Sequence, residues 1–240
     1  MKKNIIYRII GLALVFGGVA IGGYAQQRKV QNKPFIDERR FHYGFTFGVH
    51  NQGLQLENNG YIDPATGEQW LATNDKMNLG FTVGVLGEWK LNEYFALRLV
   101  PSLHFGSKHV EFRNLVDDKR ESQDIKSTYV GLPVNLKMAA PRFNNYRPYF
   151  IAGVQPMFDL TASKQKKVRL KPMNLMLEVG LGCDFYLPFF KLIPELKFCF
   201  GLGNVLNKNR NDLTDPTQQI FTKSLESAST NMFVLSFYFE

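Results

Sequence analysis

The chain of 240 residues holds only two cysteines, Cys183 and Cys199, which excludes a disulfide framework and a cysteine-rich zinc site. Beyond the first 25 residues it has no uninterrupted apolar run of ~18 residues, so a bundle of transmembrane helices is excluded as well. Its 20 glycines and 11 prolines are too few for a collagen-like or low-complexity chain, and 45% hydrophobic residues are too many for a disordered one. The formal charge of +8 is spread along the sequence with no block of the kind that binds nucleic acid. The length fits a single domain.

The N-terminus carries a basic start (Lys2, Lys3, Arg8), an apolar stretch from Ile9 to Ile21 and a small-x-small pattern at Gly23-Tyr24-Ala25. These are the parts of a cleaved secretory signal over residues 1–25. Its removal lowers the formal charge from +8 to +5 and places the cysteines in an oxidising compartment. Residues 26–40 are polar and read as a short leader without a core. From Phe41 to residue 240 the pattern becomes alternation with period two.

Eight stretches alternate. Their apolar registers run Phe41 to Val49, Leu79 to Trp89, Phe95 to Phe105, Val130 to Met138, Phe150 to Leu160, Leu175 to Phe185, Leu192 to Leu202 and Phe233 to Phe239. None of these registers contains a charge, whereas the opposite registers carry Glu88, Arg98, Lys137, Asp159, Glu178, Asp184, Glu195 and Lys197 and are rich in glycine. A soluble β-sandwich or lipocalin-like barrel also alternates. A uniformly large apolar face opposite a glycine-rich polar one fits instead a narrow barrel with hydrocarbon outside. Stretches of about 9 to 11 residues match a tilted membrane span, and the intervening segments alternate long and short. The expected fold is all-β: an eight-stranded antiparallel transmembrane β-barrel of outer-membrane type, with long outer loops, short periplasmic turns and both termini periplasmic. Trp89, Tyr94, Phe95, Tyr146, Tyr149, Tyr186, Phe189 and Phe190 fall near the short turns, as an interfacial aromatic girdle does.

Eight strands enclose a space that side chains fill, so a folded protein does not pass through it. The eight inward charges are expected to pair into a structural polar network. Ser102 and His104 share the inward face of one strand, but residues two apart are separated by ~6.6 Å along its axis, a poor fit to nucleophile–base contact. The histidines show no metal-ligand spacing, and neither catalytic residues nor a cofactor is expected. Lys164, Lys166, Lys167, Arg169 and Lys171 form a basic run in the third outer loop, a candidate contact for lipopolysaccharide phosphates. Cys183 falls in the outward register and Cys199 in the inward one, so no bond between them is expected.

The segment KPFIDERRFHYGFTFGVH, and the strands STYVGLPVNLK and RPYFIAGVQP, resemble the PorT family of small outer-membrane barrels. The leading Pro34-Phe35-Ile36-Asp37 is the part specific to that family. The resemblance implies a component of the type IX secretion system, with other secretion subunits as partners. Its role would be export and maturation of proteins bearing C-terminal sorting domains, such as secreted cysteine proteases. It implies no catalytic residues. Two other readings are a passive surface barrel for adhesion or envelope integrity and a lipid-modifying membrane enzyme. One departure is the end of the chain, where Glu240 follows the terminal aromatic Phe239.

Overall fold

The computed structural model describes residues 30–64, 66–74, 78–162, 169–208 and 216–240. Residues Asn32–Glu240 make up one unit and Met1–Gln31 another, of which Val30 and Gln31 are described and exposed. The signal segment lies outside the described residues.

The strands are β1 (Phe41–Asn58), β2 (Trp70–Thr73), β3 (Leu79–Lys90), β4 (Phe95–Leu99), β5 (Ser102–Asn114), β6 (Arg120–Gly131) and β7 (Val134–Ala139), then β8 (Tyr146–Asp159), β9 (Met173–Tyr186), β10 (Lys191–Gly201) and β11 (Leu225–Phe239); one helix, α1 (Pro216–Lys223), precedes the last. Proline cannot donate to a ladder, so Pro101 separates β4 from β5 and Pro133 separates β6 from β7. The carbonyls remain in use: Val85 N donates to Pro101 O at 3.0 Å and Val100 N to Pro133 O at 3.3 Å. Each broken pair therefore runs as one stave. The result is eight antiparallel staves, closed by the pairing of β1 with β11.

The register fixes the barrel's dimensions. The rung Asn51–Phe233–Phe198–Val179–Ala152–Leu136–Leu97–Trp89 circles the ring and returns to β1 at Phe41, ten residues from where it began. A shear of ten over eight strands sets the tilt at about 40° and the backbone radius at about 8 Å. So narrow a ring is filled by side chains. Where two backbones meet most closely only glycine fits: a Cβ on Gly153 would lie 2.2 Å from Val134 O, and one on Gly44 2.2 Å from Phe239 O.

All eight apolar registers face outward, with Phe45, Val85, Leu181 and Phe198 among the exposed residues. Among the proposed girdle residues, Trp89, Tyr94, Phe95, Tyr146, Phe189 and Phe190 are exposed at the short-turn end, but Tyr149 and Tyr186 are buried in the lumen. Their positions in the alternation require it. Tyr149 is one residue from outward Phe150, and Tyr186 one from outward Phe185.

The staves also outrun the expected spans. β1 extends to Asn58, β5 to Asn114, β6 begins at Arg120 and β11 at Leu225. The long segment after the third apolar register, from Gly106 to Lys126, reads from sequence as an outer loop, but much of it is a β5–β6 hairpin turning at Leu115–Lys119. In this second storey the polarity inverts. Leu54, Val110, Phe112 and Ile125 now point inward into an apolar core, completed by Trp70, Leu170, Leu206 and Phe221, while Gln55, Glu57, Arg113 and Lys126 are exposed. β2 pairs with the far end of β5, and Asn58 brackets it from β1, donating to Ala72 O at 3.1 Å and accepting from Ala72 N at 2.8 Å. The first storey is built for hydrocarbon outside and the second for water outside.

Candidate functional site

Nearly all the inward charges that the sequence points to meet in the lumen. Arg98, which is fully buried, donates from Nε and Nη2 to Glu88 Oε2 at 2.9 and 2.6 Å and from Nη1 to Glu195 Oε2 at 2.5 Å. Its guanidinium lies between the rings of Tyr149 and Tyr238, each 5.1 Å away. Both tyrosine hydroxyls donate to Glu195, at 2.6 and 2.7 Å, so that carboxylate is held on all sides. Lys137 Nζ joins Asp184 at 2.9 Å to Glu88 at 3.4 Å, and Lys197 lies 3.8 Å from both Glu178 and Glu195. Asn135 donates to the other Glu178 oxygen at 2.8 Å. Burial of the charges in this network is tolerable because each member meets an opposite one.

Asp159 stands apart from this network. It is buried, but its Oδ1 accepts from Thr161 Oγ1 at 2.7 Å and from Thr161 N at 2.8 Å, closing the end of β8, and among the described residues no cation pairs with it. Conversely, Lys191, Glu240, His42 and Lys108 are also buried or half-buried on the lumen side, where the alternation of the eight registers does not mark them. Lys191 Nζ lies 2.6 Å from Glu240 and 3.8 Å from Asp184, and His42 Nδ1 lies 2.5 Å from Glu240. The alternation carries straight through Phe239, so Glu240 turns inward and ties β11 to both its neighbours. At this mouth, burial works to raise the Glu240 carboxyl, but the His42 hydrogen bond and the Lys191 charge outweigh it and hold the pKa at about 2. Lys108 is fully buried nearer the long-loop end and donates to Tyr129 Oη at 2.7 Å and Thr230 Oγ1 at 3.2 Å.

Ser102 and His104 do touch, contrary to the spacing argument: Oγ and Nε2 are 2.9 Å apart. The strand rise separates the backbones, but an imidazole is long enough to reach back to position i−2. His104 Nδ1 meets Thr82 Oγ1 at 2.8 Å, Thr82 meets His50 Nδ1 at 2.8 Å, and His50 Nε2 meets Gln52 Nε2 at 2.9 Å. With Gln52 donating to His50 Nε2 and Gln155 to His104 Nε2, each imidazole is neutral and carries its proton on Nδ1. The residue orienting His104 is thus a hydroxyl and not a carboxylate, and the chain is buried beneath the apolar second storey. Among the described residues no cluster of His, Cys, Asp or Glu is arranged to hold a metal. Both thiols are free: Cys199 is in the lumen, 3.4 Å from Glu178 Oε1, and Cys183 is partly exposed on the outward register.

Residues 32–40 strap the short-turn mouth. Asn32 N donates to Asn145 Oδ1 at 2.8 Å, Asn32 Nδ2 donates to Tyr186 O at 2.9 Å, and Ile36, in a single 3-10 turn (Ile36–Glu38), is buried. Asp37 is the hub. Tyr186 Oη donates to it at 2.7 Å and Arg142 Nη1 at 3.2 Å, while Lys90 donates to its carbonyl. Arg142 stacks over the Tyr186 ring at 3.6 Å and also donates to the carbonyls of Asn32 and Lys33. Beneath this strap, among Asp37, Glu88, Lys137 and Asp184, the remaining cavity is about 20 Å³, the room of a single water.

Of the basic run, Lys164, Lys166 and Lys167 lie outside the described residues. Arg169 is half-buried, and Lys171 Nζ donates to Asn204 O at 2.9 Å, bracing two loops of the long-loop end.

Residues 24–207 match the family model described as "Outer membrane protein beta-barrel domain". The chain belongs to that family. The outer membrane is accordingly where this barrel resides, its apolar registers facing lipid. No curated protein sequence matches the chain. Among solved structures, OprG from Pseudomonas aeruginosa is 13% identical, with 83% of this chain and 92% of that one covered and a TM-score of 0.41. Ail, the attachment invasion locus protein of Yersinia pestis, in complex with the heparin analogue sucrose octasulfate, is 15% identical over 84% of this barrel and 99% of its own chain, with a TM-score of 0.35. AlkL, determined in lipid bilayers, is 12% identical over 91% and 95%, with a TM-score of 0.32.

Proposed function

We propose that this outer-membrane barrel is a non-conduit component of a type IX protein secretion machinery, required for export and maturation of proteins with C-terminal sorting domains. The observation that carries the non-conduit part is the filled lumen. Among the described residues, side chains fill the lumen at the strap over Asp184 and Lys137, at Arg98, at the His50–Thr82–His104 chain and at the apolar core around Phe112. Such a protein acts through its outer surface, its loops or its leader. The secretion part rests on the resemblance of Pro34-Phe35-Ile36-Asp37 and the following strand to the PorT family. Those residues form the strap, with Asp37 as its hub.

In this reading the short-turn end, with both termini, is periplasmic and the long loops are outside. The basic run ending at Lys171 then lies where lipopolysaccharide phosphates are found. No catalytic role is assigned to Ser102 or His104. Deleting the gene and assaying cargo in the medium tests the reading. Cargo retained and unprocessed in the cells is expected, whereas normal secretion and processing would remove it in favour of a passive surface barrel.

A further inference from the structure

The apolar outer band is notched at the seam where the first and last strands meet. On β1 the outward apolar column ends at Val49 and on β11 at Phe233. Phe233 pairs with Phe198, yet the outward apolar column continues through Phe200 on β10 to Leu202 just past its end, and Val49 pairs with Phe81, yet β3 continues to Leu79. Each step round the ring shifts the level by ten-eighths of a residue. With that corrected, the seam falls short of both neighbours by about three residues, or about 7 Å of height at this rise and tilt. The outward positions within the gap are Asn51 on β1 and Asn231 on β11, with Gly53 and Ser229 at its upper edge and Gln55 above them.

Above the gap the seam bonds to itself, Ser229 Oγ donating to Gln55 Oε1 at 3.4 Å and Ser227 Oγ to Glu57 Oε2 at 2.6 Å, but two features beside it are left open. A Cβ on Gly53 would meet nothing nearer than Asn231 O at 3.7 Å, unlike the crowded Gly44 and Gly153. Asn51 Oδ1 is buried with no hydrogen-bond partner among the described residues. Amides beside hydrocarbon need hydrogen-bonding cover. The rim above is acidic: Glu57 and Glu226 are exposed, and neither β1 beyond Val49 nor β11 before Phe233 carries a cation. The nearest one in sequence, Lys223, lies over the Tyr61 ring at 6.0 Å. Two carboxylates at this rim suit a cationic partner better than a lipid phosphate.

We propose that this notch on the β1–β11 seam docks a second envelope protein, one that presents hydrogen-bond donors at the hydrocarbon boundary and a lysine or arginine to Glu57 and Glu226. It deepens the reading of the chain as an accessory component by naming the surface through which it acts, and it rests on that reading.

The test is in-cell photocrosslinking of the full-length chain carrying benzoylphenylalanine at Gly53, with Leu181 on another face of the barrel as the control site. Heat-modifiable migration confirms folding of each variant. A discrete protein adduct is expected from position 53 and only lipid from position 181. Its mapped peptide should contain a lysine or arginine, and its yield should fall about tenfold with Glu57→Lys and Glu226→Lys, the scale of an opposed charge at an interface. Should those reversals perturb the barrel, Asn231→Leu, which fills the notch without changing charge, should lower the yield likewise. Adducts to lipid alone, to the chain's own loops or to a second copy overturn the proposal, as does a protein adduct indifferent to all three substitutions. If gene deletion blocks secretion while position 53 gives no such adduct, this inference alone fails. If deletion leaves secretion intact, the functional reading fails whatever the adduct.

Discussion

Replacing Arg98 by methionine removes the cation that joins Glu88 to Glu195 while keeping an apolar chain between the Tyr149 and Tyr238 rings. Breaking a buried pair from one side costs about 3–5 kcal/mol, because the carboxylate left behind is uncompensated. Here the lower end applies. Glu88 keeps Lys137 at 3.4 Å, and Glu195 keeps Lys197 at 3.8 Å and both tyrosine hydroxyls. A loss of about 3 kcal/mol in a domain of this size lowers the midpoint by about 6–12 °C. The assay is the temperature at which the folded, fast-migrating band in detergent converts to the unfolded one. Adding Glu88→Gln and Glu195→Gln to Arg98→Met removes the orphaned charges and should recover most of the loss. A single variant within about 2 °C of the parent, or a triple variant less stable than the single, would refute the account of the lumen as a mutually compensated network.

Gly153→Val should cost about 1–3 kcal/mol or block folding, because its side chain meets the Val134 carbonyl; the same melting assay reads it. Asp37→Ala should release the strap, so that a protease added to the detergent-solubilised barrel cuts near residues 32–40 faster than in the parent while the barrel itself stays resistant. Glu240→Gln should abolish one component of acid sensitivity. The native carboxyl titrates at about 2 and an unfolded one near 4.5, so its contribution is present above pH 4.5 and lost as pH falls toward 2. The melting difference between parent and variant should therefore shrink over that window. Phe112→Ala should loosen the second storey by about 3–5 kcal/mol, seen as earlier hydrogen exchange in β5 and β6 residues above Lys108.

The sequence was most legible where one register is wholly apolar and the other is not. Phe41 through Val49 and Leu175 through Phe185 declare their faces, and the charges opposite them are those found in the lumen. Legibility fails where the environment changes along a strand. At Leu54 and Phe112 the chain is still alternating, but water has replaced hydrocarbon outside, so the apolar side moves inward and a search for outward apolar residues stops short. Lys191 and Glu240 were missed because they sit at stave ends, where alternation reads as turn or terminus. Tyr149 and Tyr186 were misplaced by proximity to the turns, although their parity assigns them to the lumen. The Ser102–His104 contact was hidden because backbone rise does not measure the reach of an imidazole.

The central claim, a barrel whose lumen is blocked by its own side chains, is tested most directly by the conductance of the purified full-length protein in a planar lipid bilayer across a range of voltage. The filled lumen, the strap keyed by Asp37 and the apolar second storey predict insertion without discrete current steps. Stable ohmic steps from folded, heat-modifiable protein would contradict it.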